Sequence, residues 1–324
     1  VTRPLISILI NNYNYADYLP AAIDSALNQT HPAVEVIVVD DGSTDHSRQI
    51  LTRYGDRIKV IYQANQGQAA AFNQGFAASR GDIICFLDAD DAFYPGKAAA
   101  IAEVFRCYPG LGWCFHPLQL VTDGQPLLSP EQMPSALELV QTTQHALMDA
   151  MRSGKLGEPF PFTMPATSAM CFGRWLLTDI LPMPEGPGIS LNDSYVKFAA
   201  LGLSAGVALN QRWAVQRIHS SNAFTLKRDP QQSAKIHLLM AYWLQRNFPQ
   251  LRQFNDNLFA AALGDYRSAG VIPADEQCLI EEYIQQLSPQ KQVAIRLRGL
   301  FYWLKAEAVG LGRKPLPTLR EAQS

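Results

Sequence analysis

Little in this sequence commits the chain to a membrane, a nucleic acid or an oxidising compartment. Its apolar stretches, such as Leu5 to Ile10 and Val36 to Val39, fall far short of the roughly 20 residues that cross a bilayer, so no membrane span is expected. Charge is sparse and balanced. Charged residues make up 17% of the chain, and 27 Lys and Arg stand against 29 Asp and Glu for a net charge of -2, which excludes bulk attraction to nucleic acid. Five cysteines, Cys85, Cys107, Cys114, Cys171 and Cys278, form no C-x-x-C pair, so neither a zinc ribbon nor a redox dithiol is indicated and buried free thiols in a reducing cytosol are expected. The chain opens without the charged start, apolar middle and small-residue cleavage site of an export signal, which makes a cytoplasmic location the expectation. It also lacks internal repeats and low-complexity tracts.

What is present is an ordinary globular composition, 48% hydrophobic over 324 residues, enough for one large domain with a smaller appendage. The first hundred residues alternate short apolar runs with helical periodicity, the pattern of a parallel sheet flanked by helices. Strands are predicted over Leu5–Asn11, Val34–Val39, Ile58–Tyr62 and Ile83–Leu87, and helices over Asp17–Gln29 and Gln68–Ser79. Ser43 is expected to cap the helix that runs on to Tyr54. The middle reads as a strand over Leu111–Val121, a helix over Ser135–Arg152, a Pro- and Gly-rich loop over Gly154–Pro165, a strand over Thr167–Phe172, a helix over Leu191–Leu201 and a strand over Ala205–Ile218. Beyond Asn222 the texture becomes amphipathic and helical, over Ala234–Arg246, Asn255–Ser268, Glu276–Leu287 and Gln290–Ala306.

Two acidic clusters, Asp40-Asp41 and Asp88-Ala89-Asp90-Asp91, are placed by this reading at strand ends, where open α/β sheets hold their ligands. Concentrated carboxylates repel one another unless a cation or hydrogen-bond donors lie between them. A divalent ion, Mg²⁺ or Mn²⁺, bridging the carboxylates to phosphates is one resolution; solvated turn acids are the other.

Five segments in order, Ile8-Leu9-Ile10-Asn11-Asn12-Tyr13-Asn14-Tyr15, Glu35 to Asp45, Asn65-Gln66-Gly67, Asn73-Gln74-Gly75 and Gly81-Asp82 through Asp91, resemble the signature series of family 2 glycosyltransferases. The likeness covers about Leu5 to Asn222 and is strongest up to Pro95. It implies an α/β fold with a GT-A type nucleotide-binding, mostly parallel sheet; the change of texture after Asn222 bounds this domain at residues 1–226, ahead of a C-terminal helical extension over 227–324 that lies outside the likeness. It further implies a nucleotide-diphosphate sugar donor (UDP, GDP or dTDP type), a glycan or lipid-linked acceptor, inversion at the anomeric carbon and a role in bacterial surface or secreted glycan synthesis. Carried onto this sequence, the resemblance puts Asn12, Tyr13, Asp40, Asp41, Asn73, Asp88 and Ala89 around the nucleotide sugar. It makes Asp88 and Asp90 metal ligands.

Farther on, Thr167 to Arg174 is similar to the family's acceptor-side strand. Leu191-Asn192-Asp193 falls where relatives carry Glu-Asp, so Asp193 is implied as the general base while Asn192 departs from the pattern. Arg217-Ile218-His219-Ser220-Ser221-Asn222 resembles the Arg-x-His segment whose His adds a third metal ligand, here His219. Each has a plainer alternative: a turn acid or helix cap for Asp41 and Asn73, core packing for Tyr13, a helix-dipole acid for Asp193 and a surface loop residue for His219. A processive synthase is disfavoured, because membrane helices and a Gln-x-x-Arg-Trp motif are both lacking. Two competing activities stay open: a sugar nucleotidyltransferase, against which speaks the non-glycine, non-basic Asn11-Asn12-Tyr13-Asn14, and a catalytically inactive nucleotide-sugar-binding module, hinted at by Asn192. In the C-terminal helix, Arg296, Arg298, Lys305, Arg313 and Lys314 surround Leu300, Phe301, Trp303 and Leu304. That mixture suits either packing on the protein or peripheral contact with the inner face of the cell membrane.

Overall fold

Short apolar runs become strands buried on both faces. In the computed structural model, which describes residues 3–125, 143–145, 147–154, 162–186, 189–220 and 229–311, the first half is β1 (Ile6–Asn12), α1 (Leu19–Leu27), β2 (Val34–Asp41), α2 (Ser47–Thr52), β3 (Lys59–Gln63), α3 (Gln68–Ala78) and β4 (Ile83–Asp88). Strands β3, β2, β1 and β4 lie side by side and parallel. Helices on both faces explain why Ile6, Ile8, Leu9 and Ile10 are all buried, as a covered parallel sheet requires. One face packs Ile8, Ile10, Val36 and Val38 on Leu19, Ile23 and Ala26. On the other, Phe72 of α3 stacks on Phe86 of β4 at 4.3 Å.

The chain continues through β5 (Ala92–Phe93), α4 (Lys97–Cys107), β6 (Trp113–Phe115), β7 (Leu118–Thr122), β8 (Thr143–His145), α5 (Met148–Arg152), β9 (Met170–Gly173), α6 (Arg174–Ile180), α7 (Asp193–Leu203), β10 (Gly206–Ala208) and β11 (Ala214–Ile218). The main sheet has the order β3-β2-β1-β4-β9-β6-β10-β8, and a small sheet has the order β5-β11-β7. The run of adjacent parallel strands belongs to the first half, although β10 also pairs in parallel with β6 and β11 with β7. Strand β9 runs antiparallel to both β4 and β6, and β8 antiparallel to β10.

Several predicted elements divide here. The strand expected over Leu111–Val121 is two strands in different sheets, β6 and β7, separated by His116-Pro117; the Pro lacks the N–H a continuous ladder needs. Likewise Ala205–Ile218 splits into β10 and β11. Among the described residues of the helix expected over Ser135–Arg152, Met148–Arg152 is helical and Thr143–His145 is a strand; the start of that stretch, and most of the loop at Gly154–Pro165, lie outside the described residues. Thr167–Ala169 forms a 3₁₀ turn ahead of β9. Gly206 admits no side chain, because a Cβ there would collide with the Trp113 ring. Cys85, Cys114 and Cys171 are buried as expected, but Cys107 and Cys278 are exposed.

The chain divides into two compact units, Val1–Leu226 and Lys227–Ser324. The second contains α8 (Pro230–Asn247), α9 (Arg252–Ala269), α10 (Ala274–Gln285) and α11 (Pro289–Leu311). Its core gathers Leu238, Ala241, Phe259, Ala262, Tyr283 and Ile295, with Phe259 stacked on Tyr283 at 4.0 Å. No described helix is long and apolar enough to cross a membrane.

Candidate active site

Strands β1, β2 and β4 end at the same rim in register, Asn12 opposite Asp40 and Asn11 opposite Asp88. The loops after β1 and β2 are tied together. Asn12 Nδ2 donates to Asp40 Oδ1 at 2.9 Å and to Ser43 Oγ at 3.0 Å. Asn14, held at a φ of 59°, accepts from the Thr44 amide at 2.7 Å, and the Asn14 amide donates to Ser43 Oγ at 2.9 Å. The left-handed backbone at Asn14 is one that Asn tolerates better than most residues.

Ser43 is therefore occupied by the first loop and does not cap α2. Asp45 does the helix-end work instead: Oδ1 accepts from the Ser47 amide at 2.9 Å and Oδ2 from the Ala16 amide at 2.9 Å, which lowers its carboxyl pKa despite burial. Asp41 is saturated. It accepts from Gln63 Nε2 at 2.7 Å and from the Gln66 and Gly67 amides at 2.8 Å each, so it orders the Asn65-Gln66-Gly67 loop. Gly42, with a φ of 76°, lets that loop close in, since a Cβ there would lie 2.6 Å from the Asn65 amide nitrogen.

The second acidic cluster is tighter. Asp88, Asp90 and Asp91 bring one carboxylate oxygen each within 4.8 Å of one another, with Ala89 buried between them. Burial first, then the charges of Asp90 and Asp193, push the Asp88 carboxyl up to about 7, against hydrogen bonds from Asn11 and Thr167 that pull it down. Burial, then the charges of Asp90 and Asp88, push Asp91 well above the usual carboxylate range. The two differ in what they have left to offer. Asp91 Oδ2 accepts from Ser168 Oγ at 2.6 Å and Oδ1 from the Arg217 amide at 3.1 Å, and Ser168 Oγ in turn accepts from the Asp88 amide at 3.0 Å. Asp91 thus binds the end of β4 to the 3₁₀ turn and to β11.

Strand β11 delivers His219 to this cluster. His219 Nε2 lies 3.0 Å from Asp90 Oδ2, with the imidazole side chain 2% exposed. Tyr18 stacks on the imidazole at 4.4 Å and 25°, with the Arg217 guanidinium 4.8 Å from its ring centre and its hydroxyl donating to Asp123 Oδ2 at 3.3 Å. Tyr15 meets the same imidazole edge-on at 5.8 Å; burial and then Asp90, Asp88 and Asp91 raise its phenol pKa, which keeps it a hydrogen-bond donor. The carboxylates of Asp88, Asp90 and Asp91, with the His219 imidazole against Asp90, are oxygen-rich donors of a kind that fits Mg²⁺ or Mn²⁺, and a cation would relieve the repulsion that raises Asp88. Nearby, Asn11 Oδ1 and Asn12 Oδ1 are buried and accept no hydrogen bond among the described residues, so this rim holds unspent acceptors for a polar ligand.

Asp193 opens α7, and its negative charge is felt by Asp88, which brings it to the same site. Asn192, the departure from the expected Glu-Asp pair, is the helix cap: its side chain accepts from the Ser194 amide at 3.1 Å. The Asp193 amide donates to Gln68 Oε1 at 3.2 Å, and Lys197 Nζ lies 3.6 Å from Asp193 Oδ2 while donating to the Pro165 carbonyl at 2.7 Å. Asn73 stands apart from this group. Both its amide atoms are engaged with the Met183 backbone, at 2.9 and 2.7 Å, so it clamps the loop after α6. Tyr13 is 45% exposed on the rim. Ser221 and Asn222 lie outside the described residues.

Sequence reasoning passed over Tyr18, Asp91, Ser168 and Lys197. The signal for Asp91 was its place in the acidic run and that for Lys197 its i,i+4 spacing from Asp193; Tyr18 and Ser168 gave none, because only the fold brings them to His219 and Asp91.

An acidic rim at the carboxyl ends of parallel strands, approached by a His that follows a strand of the second, small sheet, is where an open α/β sheet binds its ligand. Residues 7–110 match the family model described as glycosyl transferase family 2. An uncharacterised glycosyltransferase of Nostoc sp. is 37% identical over 221 residues, covering 67% of this chain and 66% of that protein. TuaG of Bacillus subtilis, named as a proposed teichuronic acid biosynthesis glycosyltransferase, is 37% identical over 130 residues, 39% of this chain and 51% of its own. Among solved structures, Staphylococcus aureus TarS 1–349 in complex with UDP-GlcNAc superimposes with a TM-score of 0.63 at 17% identity, over 95% of this chain and 92% of that one. The chain belongs to the family 2 glycosyltransferases and has their GT-A fold. It spans about two thirds or less of the length of the curated relatives it matches, 66% for the Nostoc protein and 30% for a Rickettsia typhi one.

Proposed function

We propose that this protein is an inverting, metal-dependent glycosyltransferase that moves a single sugar from a nucleotide-diphosphate donor to an acceptor hydroxyl, in the synthesis of a bacterial surface or secreted glycan. The observation that carries this is the clustering of the Asp88, Asp90 and Asp91 carboxylates within 4.8 Å of one another at the end of β4, with His219 against Asp90. On this reading Asp88, Asp90 and His219 hold Mg²⁺ or Mn²⁺, which supplies Lewis-acid stabilisation of the departing diphosphate.

The remaining roles belong to the chain. Asn12 and Asp40 offer hydrogen bonds to base and ribose, and the exposed Tyr13 ring a face for stacking. Asp193 takes the proton of the acceptor hydroxyl as that oxygen attacks the anomeric carbon and the bond to the diphosphate breaks. Holding both substrates in one cleft lowers the barrier further by orientation. Lys197 Nζ, 3.6 Å from Asp193 Oδ2 and anchored on the Pro165 carbonyl, positions the Asp193 carboxylate. Asp41 and Asn73 act through the loops they order.

An inactive binding module is less well supported, because its one hint, Asn192, has a structural explanation as the α7 cap. The likeness to TuaG, named for teichuronic acid biosynthesis, favours an acceptor in polymer synthesis, glycan or lipid-linked. The test is calorimetric titration of UDP, GDP and dTDP, with and without Mn²⁺, into the intact protein and Asp90→Ala. Metal-dependent binding of one diphosphate, lost in the variant, is expected; no binding under any condition overturns the proposal.

A further inference from the structure

Helix α11 has two unlike long sides. Ile295 and Gly299 are buried, and the close seat of Gly299 against Ala260 and Leu263 of α9 fixes which side packs. On the other side Val293, Leu297, Phe301 and Leu304 are 58%, 62%, 60% and 52% exposed. At about 100° per residue these four fall within an arc of about 80°, in a stripe roughly 17 Å long. Scattered surface hydrophobes are ordinary, but an ordered stripe on one helix is not.

The borders of the stripe are cationic. Arg298 and Lys305 flank it on one side and Arg296 on the other, all exposed; Glu307 is the only acid among the exposed residues of this helix. Beside its C-terminal half, Val271 and Ile272 add exposed apolar surface at 62% and 39%. There Tyr266, Arg267, Gly270, Ile272 and Trp303 line a shallow hollow of about 460 Å³.

We infer that this face of the helical unit docks on an anionic lipid surface. The stripe lies in the headgroup boundary, and Arg296, Arg298 and Lys305 reach lipid phosphates on either side. Charge complementarity selects this occupant over a second copy of the chain, since two such faces meeting would oppose cation to cation. It also sets the energetics: apolar insertion and electrostatic attraction add, so binding weakens when either is removed. A glycosyltransferase held in this way works where a lipid-linked acceptor is found, although the docking itself does not rest on the catalytic reading.

The experiment is co-sedimentation of the full chain with vesicles of phosphatidylcholine alone and of phosphatidylcholine containing phosphatidylglycerol. Binding is expected to the anionic vesicles only and to fall as salt is raised. Leu297→Ser/Phe301→Ser is expected to lower the partition coefficient by roughly tenfold or more, and Arg296→Gln/Lys305→Gln to weaken binding to anionic vesicles by several-fold. Circular dichroism and nucleotide binding, unchanged in both variants, separate loss of docking from loss of folding or of the active site. Failure to bind anionic vesicles overturns the inference. So does binding indifferent to the Leu297/Phe301 change, or self-association that this change abolishes while vesicles are ignored.

Discussion

Removing charge from Asp88 is expected to flatten the pH dependence of stability in the metal-free protein. Burial, Asp90 and Asp193 raise its carboxyl from 3.8 to about 7, while in the unfolded chain it titrates near its ordinary value. A raised carboxylate pKa favours the folded state at low pH, and that stability is lost as pH rises through the folded value. Between pH 5 and 8 the unfolded group is ionised throughout. The folded group sheds its proton near 7, which corresponds to a ceiling of about 2.7 kcal/mol, two pH units at 1.36 kcal/mol each. Partial exposure of Asp88 to solvent reduces this to about 1–2 kcal/mol. Chelator-treated protein should therefore melt several degrees lower at pH 8 than at pH 5.5. Asp88→Asn should lose much of that slope and be the more stable of the two proteins at pH 8, whereas saturating Mn²⁺ should remove most of the loss in the wild type. Differential scanning calorimetry across the pH series reads all three. A slope that is the same in wild type and Asp88→Asn, or a wild-type stability that climbs toward pH 8 through this group, refutes the electrostatic account of the cluster.

Tyr18 is expected to position His219: Tyr18→Ala should weaken Mn²⁺-dependent diphosphate binding about tenfold, and Tyr18→Phe, which keeps the stack and loses only the hydroxyl, should stay within about threefold. Calorimetry of both variants checks this, and equal losses would point to the hydroxyl instead of the ring. Asp193→Asn should lower kcat by about 10²–10⁴-fold with donor affinity nearly unchanged; full turnover in that variant would assign the base elsewhere. Asp41→Ala leaves the Gln66 and Gly67 amides without their acceptor, a cost of about 3 kcal/mol, or a fall in Tm of roughly 5–10 °C. A smaller fall in a thermal melt would mean that the Asn65-Gln66-Gly67 loop is ordered by other contacts.

The parts of this protein legible in its sequence are those governed by local pattern. Buried parallel strands leave continuous apolar runs, so β1, β2 and β4 and the acids at their ends were readable, and the family resemblance extended that reading to Asp193 and His219. Pairing across distance was not readable. Whether Leu111–Val121 is one strand or two depends on which sheet each half joins, and Ser43 lost its role as a cap because Asn12 and Asn14, some 30 residues away, compete for its oxygen. Asp40 and Asp41 look equivalent in sequence. In the fold one bonds the side chain of Asn12 and the other serves two backbone amides and a glutamine.

The proposed ligands Asp88 and His219 belong to separate sheets, Asp88 closing β4 and His219 following β11, and within the N-terminal unit Asp91 is a latch between them through Ser168 and the Arg217 amide. Ion affinity in such a centre reports the alignment of two plates. A substitution remote from every carboxylate, in the contacts of β5, β7 or β11, would detune it as effectively as one among the ligands, which makes the small sheet a natural place to adjust how firmly the leaving diphosphate is gripped.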